Sequence, residues 1–207
     1  MDIVLDPVEV RVLGALLEKE AATPEYYPLT LNALRAATNQ KSNRHPVMTL
    51  DADDVAAAIQ RLRERGLMRE ISGAGHRVRK YGHRLGEAFN FDRREQAVLC
   101  VLMLRGPQTV GEIRGRSERL YTFDDLAGVE AILNRLAERT PPLVVHLPRR
   151  AGEKEARWAH LLSGEVELPE LPAPAAAAAS PLAERVSRLE EELARLREEF
   201  EEFRGQF

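Results

Sequence analysis

The sequence predicts an α+β, mostly helical fold, built from one plan used twice and followed by a rod. Three observations carry that prediction. First, three segments recur in order: EVRVLGALLEK (9–19) with EQAVLCVLMLR (95–105), TLNALRA (30–36) with TVGEIRG (109–115), and VAAAIQRLRER (55–65) with VEAILNRLAER (129–139). Second, each third segment leads into two extended pieces parted by a turn. These are GLMREIS (66–72) and HRVRKYGHRL (76–85) in the first copy, PLVVHLP (142–148) and ARWAHLL (156–162) in the second. Third, residues 182–204 place apolar side chains at alternating spacings of four and three.

Each element has a local reason. Val10, Leu13, Leu16 and Leu17 recur at helical spacing in the first segment. Asp6 followed by Pro7 marks its start, because a proline at the first helical position needs no hydrogen-bond donor. Thr109 and Glu112 have the spacing of a capping box. The third segments show Val55, Ile59 and Leu62, matched by Val129, Leu133 and Leu136. Gly66 closes the first of these, where a positive φ costs glycine little. SGAG (72–75) then reads as a hairpin tip. Three helices and a β-hairpin make the winged helix-turn-helix plan. The fold class is therefore two tandem winged helix-turn-helix domains, 1–89 and 90–164, followed by a linker and a C-terminal coiled-coil helix.

The linker is the proline- and alanine-rich stretch 165–181, which lacks apolar periodicity. In 182–204 a heptad seam places Val186, Leu193 and Phe200 at a, and Leu182, Leu189, Leu196 and Phe203 at d. Dimerisation is expected through Val186, Leu189, Leu193, Leu196 and Phe200. In a parallel pair the flanking residues Arg185–Glu190, Glu192–Arg197 and Glu199–Arg204 are opposite in sign. The alternative is one amphipathic helix packed on its own chain.

The net charge of −3 hides an asymmetry. Residues 1–89 carry 13 Lys/Arg against 12 Asp/Glu, residues 90–164 carry 12 against 10, and residues 165–207 carry 5 against 11. Within the first module, residues 41–85 hold 10 basic and 5 acidic residues, a local excess suited to phosphate. No apolar run approaches the roughly 20 residues needed to span a bilayer, and the N-terminus lacks a secretory pattern. The one cysteine, Cys100, sits in the apolar run AVLCVLML and reads as a core thiol. A cytoplasmic setting is expected.

Nothing in the sequence assembles a catalytic set. The five histidines lack metal-ligand spacing, no phosphate-binding glycine loop is present, and the acid pairs Asp53–Asp54 and Asp124–Asp125 sit at helix starts, where they cap. No enzyme activity and no cofactor or metal are expected. Nucleic-acid binding is the natural expectation for the plan, with the third helix in the major groove and the wing on the backbone. The wings suit phosphate: Arg77, Arg79 and Lys80 in the first, Arg149 and Arg150 in the second. The third helices do not, because they open on DADD (51–54) and FDD (123–125), and alanines fill 56–58.

The repeat register points elsewhere. The first copy is longer by 7 residues before its second helix and by 5 after it. The extra chain lies near AATPEYYP (21–28) and TNQKSNRHPVM (38–48). The latter offers Asn39, Gln40, Lys41, Asn43 and Arg44, a suitable kit for nucleic acid or polar peptide. The same groups also suit a polar loop whose amides satisfy backbone.

LLEKEAATPEYYPLTLNALRAATNQKSNRHPVM (16–48) closely resembles the signature region of the YceH-like proteins, a bacterial family of tandem winged-helix fold. SGAGHRVRKY (72–81), LRGPQTVGEIRGR (104–116) and HLLSG (160–164) match it too, so the resemblance covers 5–164. It falls on Glu18, Lys19, Thr23, Pro24, Tyr27 and Pro28, then on Asn39, Gln40, Lys41, Asn43, Arg44 and Pro46. Thr38 stands where the family commonly has cysteine, and Ser42 where threonine is common. The resemblance implies the fold and a C-terminal coiled coil, and supplies no substrate or partner. The expectation is thus a non-enzymatic, DNA-binding regulator that dimerises through its tail. A protein-interaction adaptor is the alternative, and association with RNA or the ribosome a third reading.

Overall fold

The computed structural model describes residues 4–71, 78–149, 153–164, 166, 185, 188–192, 195 and 204. The chain divides into two compact units, Met1–Val166 and Glu167–Phe207.

The first copy opens with α1 (Pro7–Ala22), a turn of 3-10 helix (Pro24–Tyr26) and a short strand β1 (Leu29–Thr30). Then come α2 (Leu31–Thr38), α3 (Ala52–Glu64), β2 (Met68–Ile71) and β3 (Lys80–His83). After a helical turn, α4 (Leu85–Phe89), the second copy runs α5 (Arg93–Arg105), α6 (Val110–Ser117), α7 (Leu126–Ala137), β4 (Val144–Leu147) and β5 (Arg157–His160). The order of three helices and two antiparallel strands therefore occurs twice. The strand expected over 76–85 ends at His83, and Leu85 to Phe89 instead form a helical turn closed by Asn90 at φ 52°.

The repeat extends to the sheets. β1 pairs with β3, which pairs with β2 in the register Met68 to His83 and Ile71 to Lys80. In the second copy β4 pairs with β5, and Gln108 bridges to Trp158 where β1 would stand. The 7-residue surplus before α2 resolves into two parts. α1 has 16 residues against 13 for α5, and the loop to α2 supplies the remaining four.

Caps set the helix starts. The Asp6 carboxylate accepts from the Val8 and Glu9 N–H groups at 2.8 Å, and Glu9 accepts from the Asp6 N–H. Asp92 with Glu95, Asp51 with Asp54, and Thr109 with Glu112 repeat that reciprocal box. The first-helix boxes also hold arginines from the end of the third helix. Arg61 meets Asp6 at 2.6 Å and Glu9 at 3.2 Å; Arg135 meets Asp92 at 2.6 Å and Glu95 at 3.2 Å. Glu9 and Glu95 are buried, so these arginines neutralise charge that would otherwise be costly.

α1 and α5 form the centre. Glu9 to Leu17 are all buried, as are Ala97 to Leu104. A helix buried on every side has no polar stripe. The two helices pack on each other, and Gly14 lets them approach: a Cβ there would lie 2.8 Å from Leu104 Cδ2 and 3.3 Å from Met103 Cβ. Cys100 is part of this core, its thiol facing the Gly14 carbonyl oxygen at 3.4 Å. Burial pushes that thiol well above its ordinary value. Further bonds tie the copies together: Leu5 N–H to Leu162 O at 2.7 Å and His45 N–H to Leu104 O at 2.8 Å.

In the second unit, Arg185, residues 188–192, Arg195 and Arg204 are helical, and Leu189 is 56% exposed. Val186, Leu193, Leu196 and Phe200 of the expected seam lie outside the described residues.

Candidate functional site

The loop between α2 and α3, residues 39–51, is pinned almost throughout. Its base is closed by Asn39, whose side-chain amide donates to Leu50 O and accepts from Leu50 N, both at 2.8 Å. From below, the buried Arg11 of α1 donates to the carbonyls of Thr38 and Pro46. Burial and then the neighbouring Arg44 push the Arg11 guanidinium below its ordinary value. Arg44 itself is fully buried at its side chain. It grips both carboxylate oxygens of Glu18, at 2.6 and 3.1 Å, and also reaches Ala37 O and the Gln40 side-chain oxygen. Asn43 adopts φ 61°, a left-handed conformation that asparagine tolerates. Its side-chain oxygen accepts from Arg105 of the second copy.

Of the five loop residues singled out from sequence, four are thus engaged within the fold. Asn39 closes the loop, Gln40 and Arg44 bond each other, and Asn43 bridges to α5. Lys41 is exposed, beside the exposed Ser42, and makes no ion pair among the described residues. The buried network presents the Lys41–Ser42 apex at the junction of the two copies.

The other extra segment is held too. Tyr27 Oη accepts from the His83 N–H at 2.8 Å, and Gly82 leaves room for it, since a Cβ there would lie 2.9 Å from that oxygen. The buried His83 ring accepts from Leu85 N–H at Nδ1, so its Nε2 donates to Glu20 at 2.7 Å. That bond holds the Glu20 carboxyl below its ordinary value, against the opposing effect of burial.

Three adjoining cavities surround the apex. The central one, about 540 Å³, is rimmed by Lys19, Lys41, Arg105, Arg116 and Arg119 over a floor that includes Ala22, Val101, Leu104 and Leu120. The second, about 530 Å³, shares Lys19, Thr23 and Gln40 with it and runs past Tyr26, Pro28 and Ala33 to Lys80. The third, about 440 Å³, shares Asn43, Arg105 and Arg116 and continues to Pro148 and Arg157. Glu18 on the central rim is paired with Arg44, and in the third cavity Arg157 is shared between Glu112 at 2.6 Å and Glu153 at 3.4 Å. Arg116 pairs with Glu112 at 3.2 Å. Lys19, Lys41, Arg105 and Arg119 make no ion pair among the described residues. Burial first, then Arg116 and Arg44, push Arg105 below its ordinary value, with Glu18 opposing.

The basic residues expected on the wings are described in part. Lys80 lies in β3 beside the second cavity; Arg79 has a side chain 73% exposed and meets Glu70 at 3.4 Å. Arg149 is exposed just beyond β4, while Arg77 and Arg150 lie outside the described residues. On the third helices, Asp53, Asp54, Ala56 and Ala57 of α3 and Leu126, Ala127 and Glu130 of α7 are exposed.

Lys19 and Glu18 are among the residues picked out by resemblance, but sequence reasoning gave them no role. Arg105, Arg116 and Arg119 went unnoticed. The three arginines within 114–119 are a usable signal, masked because the second copy has no loop insertion to draw attention.

Comparison with known proteins adds the family. The profile described as "Protein of unknown function, DUF480" matches residues 5–153. The chain belongs to the DUF480 family. It is 59% identical over 175 residues to a UPF0502 protein of Solibacter usitatus, covering 84% of each chain. It is 56% identical over 168 residues to one from Geobacter sulfurreducens, covering 81% of this chain and 76% of that one. A UPF0502 protein of Koribacter versatilis is 55% identical over 162 residues, covering 78% and 75%. The DUF480 match contains every residue of the central cavity, and the tail after 153 lies outside it. Among the described residues of this DUF480 chain, no group of three or more His, Cys, Asp or Glu is placed to hold a metal, and no helix is long and apolar enough to cross a membrane.

Proposed function

We propose that this protein is a cytoplasmic, non-enzymatic regulator that binds DNA by its backbone, with its two copies acting as tandem winged-helix modules. The observation that carries the reading is the cationic band around the 40–43 apex. Lys80, Lys19, Lys41, Arg119, Arg116 and Arg105 follow one another along cavities that share lining residues, from the first hairpin across the junction of the copies. Glu18 on this path is held by Arg44, and Glu112 and Glu153 are held by Arg116 and Arg157. Such a path suits phosphates that succeed one another along a strand. The third helices stay outside the contact, because their first turns expose carboxylates that repel phosphate. The tail adds a homodimer through its heptad seam, which brings two bands into one molecule.

Fluorescence anisotropy with pooled genomic duplexes across a salt series tests the reading. Affinity is expected to fall steeply with salt, and Ala57→Glu on α3 is expected to leave it unchanged. Absence of binding at low salt sinks the proposal, and a large loss in A57E returns the contact to the third helix. For the dimer, the full chain should have twice the mass in solution of a chain ending at Gly164. Equal protomer counts for both would refute it.

One observation favours an adaptor instead. The outer faces of the third helices carry Ala56 and Ala57 on α3, and Leu126, Ala127 and Ala131 on α7, surfaces that suit protein contact better than a groove of DNA. Under that reading the protein binds no duplex at any salt concentration.

A further inference from the structure

We infer that the central cavity is a binding site for a small phosphorylated ligand carrying at least two negative charges and an apolar or aromatic body, such as a nucleoside diphosphate. The inference goes beyond backbone contact, because it concerns the depth of the cavity rather than its rim. Its cations come from four parts of the chain: Lys19 from α1, Lys41 from the loop apex, Arg105 from α5, Arg116 and Arg119 from α6 and the turn after it.

Three features decide the ligand class. The first is charge. Four of these cations lack an ion pair among the described residues, and the rim acid Glu18 is already bound bidentately by Arg44. One carboxylate would leave most of that charge unanswered, whereas a diphosphate answers it. The Ser42 hydroxyl at the apex adds a neutral hydrogen-bond donor to the lining. The second is size. About 540 Å³ lies within the range of ordinary ligand pockets, roughly 300–1,000 Å³, and far exceeds what one inorganic phosphate fills. The third is the floor. Ala22, Val101, Leu104 and Leu120 are apolar, and a sugar–phosphate strand crossing the rim would leave them untouched. A ligand with an organic body covers them.

The cavity is also rigidly built. Asn43 is tied to Arg105, and His45 to Leu104, so the loop side and the α5 side are fixed relative to each other before any ligand arrives. Arg105, held by Asn43, therefore loses little freedom on binding. Because both copies supply groups, the ligand fastens them together and raises the thermal midpoint of the folded chain.

Isothermal titration of the full chain at low salt, with ADP, pyrophosphate, adenosine and inorganic phosphate as probes, tests this. One site per chain is expected, with ADP tighter than pyrophosphate and at least tenfold tighter than adenosine or phosphate. Two variants locate it. Arg119→Gln removes an exposed cation, and Ala22→Phe fills the floor without changing charge. Each should weaken ADP at least tenfold while circular dichroism stays unchanged, and A22F should leave the salt dependence of DNA binding intact. Absence of ADP binding, pyrophosphate binding as tightly as ADP, or equal affinity in wild type and both variants overturns the inference. ADP binding without DNA binding keeps it and fells the nucleic-acid reading; the converse does the opposite.

Discussion

Arg44 shows how far a residue's chemistry depends on where the fold puts it. An arginine in a polar loop looks like a phosphate ligand, yet its guanidinium is buried and spent on Glu18 and the Ala37 carbonyl. Arg44→Ala is expected to cost about 3–5 kcal/mol, because it strands a buried carboxylate and several acceptors. Lys41→Ala, three residues away and exposed, should fall within about 0.5 kcal/mol of wild type. Urea denaturation of both variants checks the contrast. The sequence pointed to this loop but could not divide it, since burial of Arg44 depends on Glu18, which lies 26 residues away. His160 supplies a second residue-scale prediction. Burial pushes its ring down to about 4, and its Nδ1 has no hydrogen-bond partner among the described residues. Above pH 6.5 folded and unfolded chains both hold it neutral; below that the unfolded chain takes a proton that the folded chain refuses. Stability should therefore fall between pH 6.5 and 4. The residue as a whole is half-buried, so the loss is on the order of 1–3 kcal/mol rather than the full shift. His160→Phe should flatten that slope in denaturation curves taken across the window. The lowered carboxyls of Glu20, Asp92 and Glu112 act separately, at more acidic pH, where their stabilisation is lost as they protonate.

Among the elements, α1 and α5 are the pair on which the rest is arranged, and the apolar runs around Leu13 and Cys100 made both helices legible. What the sequence concealed was that they face each other, because a helix buried all round carries no stripe to show its partner's direction. Gly14 is the sign of that contact. Gly14→Val should cost about 1–3 kcal/mol through overpacking against Leu104 and Met103, measurable as a lowered denaturation midpoint with the same m-value. Glu9 and Arg61 of one cluster, and Glu95 and Arg135 of its copy, were present in the aligned segments, with Asp6 and Asp92 three residues ahead of the two glutamates. They passed unread because each joins the start of a first helix to the end of a third, a contact that no local spacing reveals. α4 was missed for a different reason: HRVRKYGHRL continues as one basic stretch through Leu85, and nothing in its composition marks the end of β3 at His83.

At the scale of the whole molecule, a repeat was legible but its functional asymmetry was only half so. The sequence located the extra chain in the first copy. It did not show that this loop leans on the second copy, where Arg105, Arg116 and Arg119 complete a cationic rim with Lys19 and Lys41. A basic surface made by two copies together cannot be read from either alone, and the near-neutral charge of each half hides it. The central claim is that this rim carries the contact with nucleic-acid phosphate. It is tested most directly by the slope of log affinity against log salt for the full chain and for a Lys19→Gln, Lys41→Gln, Arg119→Gln triple variant on the same duplex. The account predicts a steep slope for the wild type, shallower in the variant by about 0.9 for each phosphate contact removed. Equal slopes for the two proteins, or an affinity indifferent to salt, would contradict it.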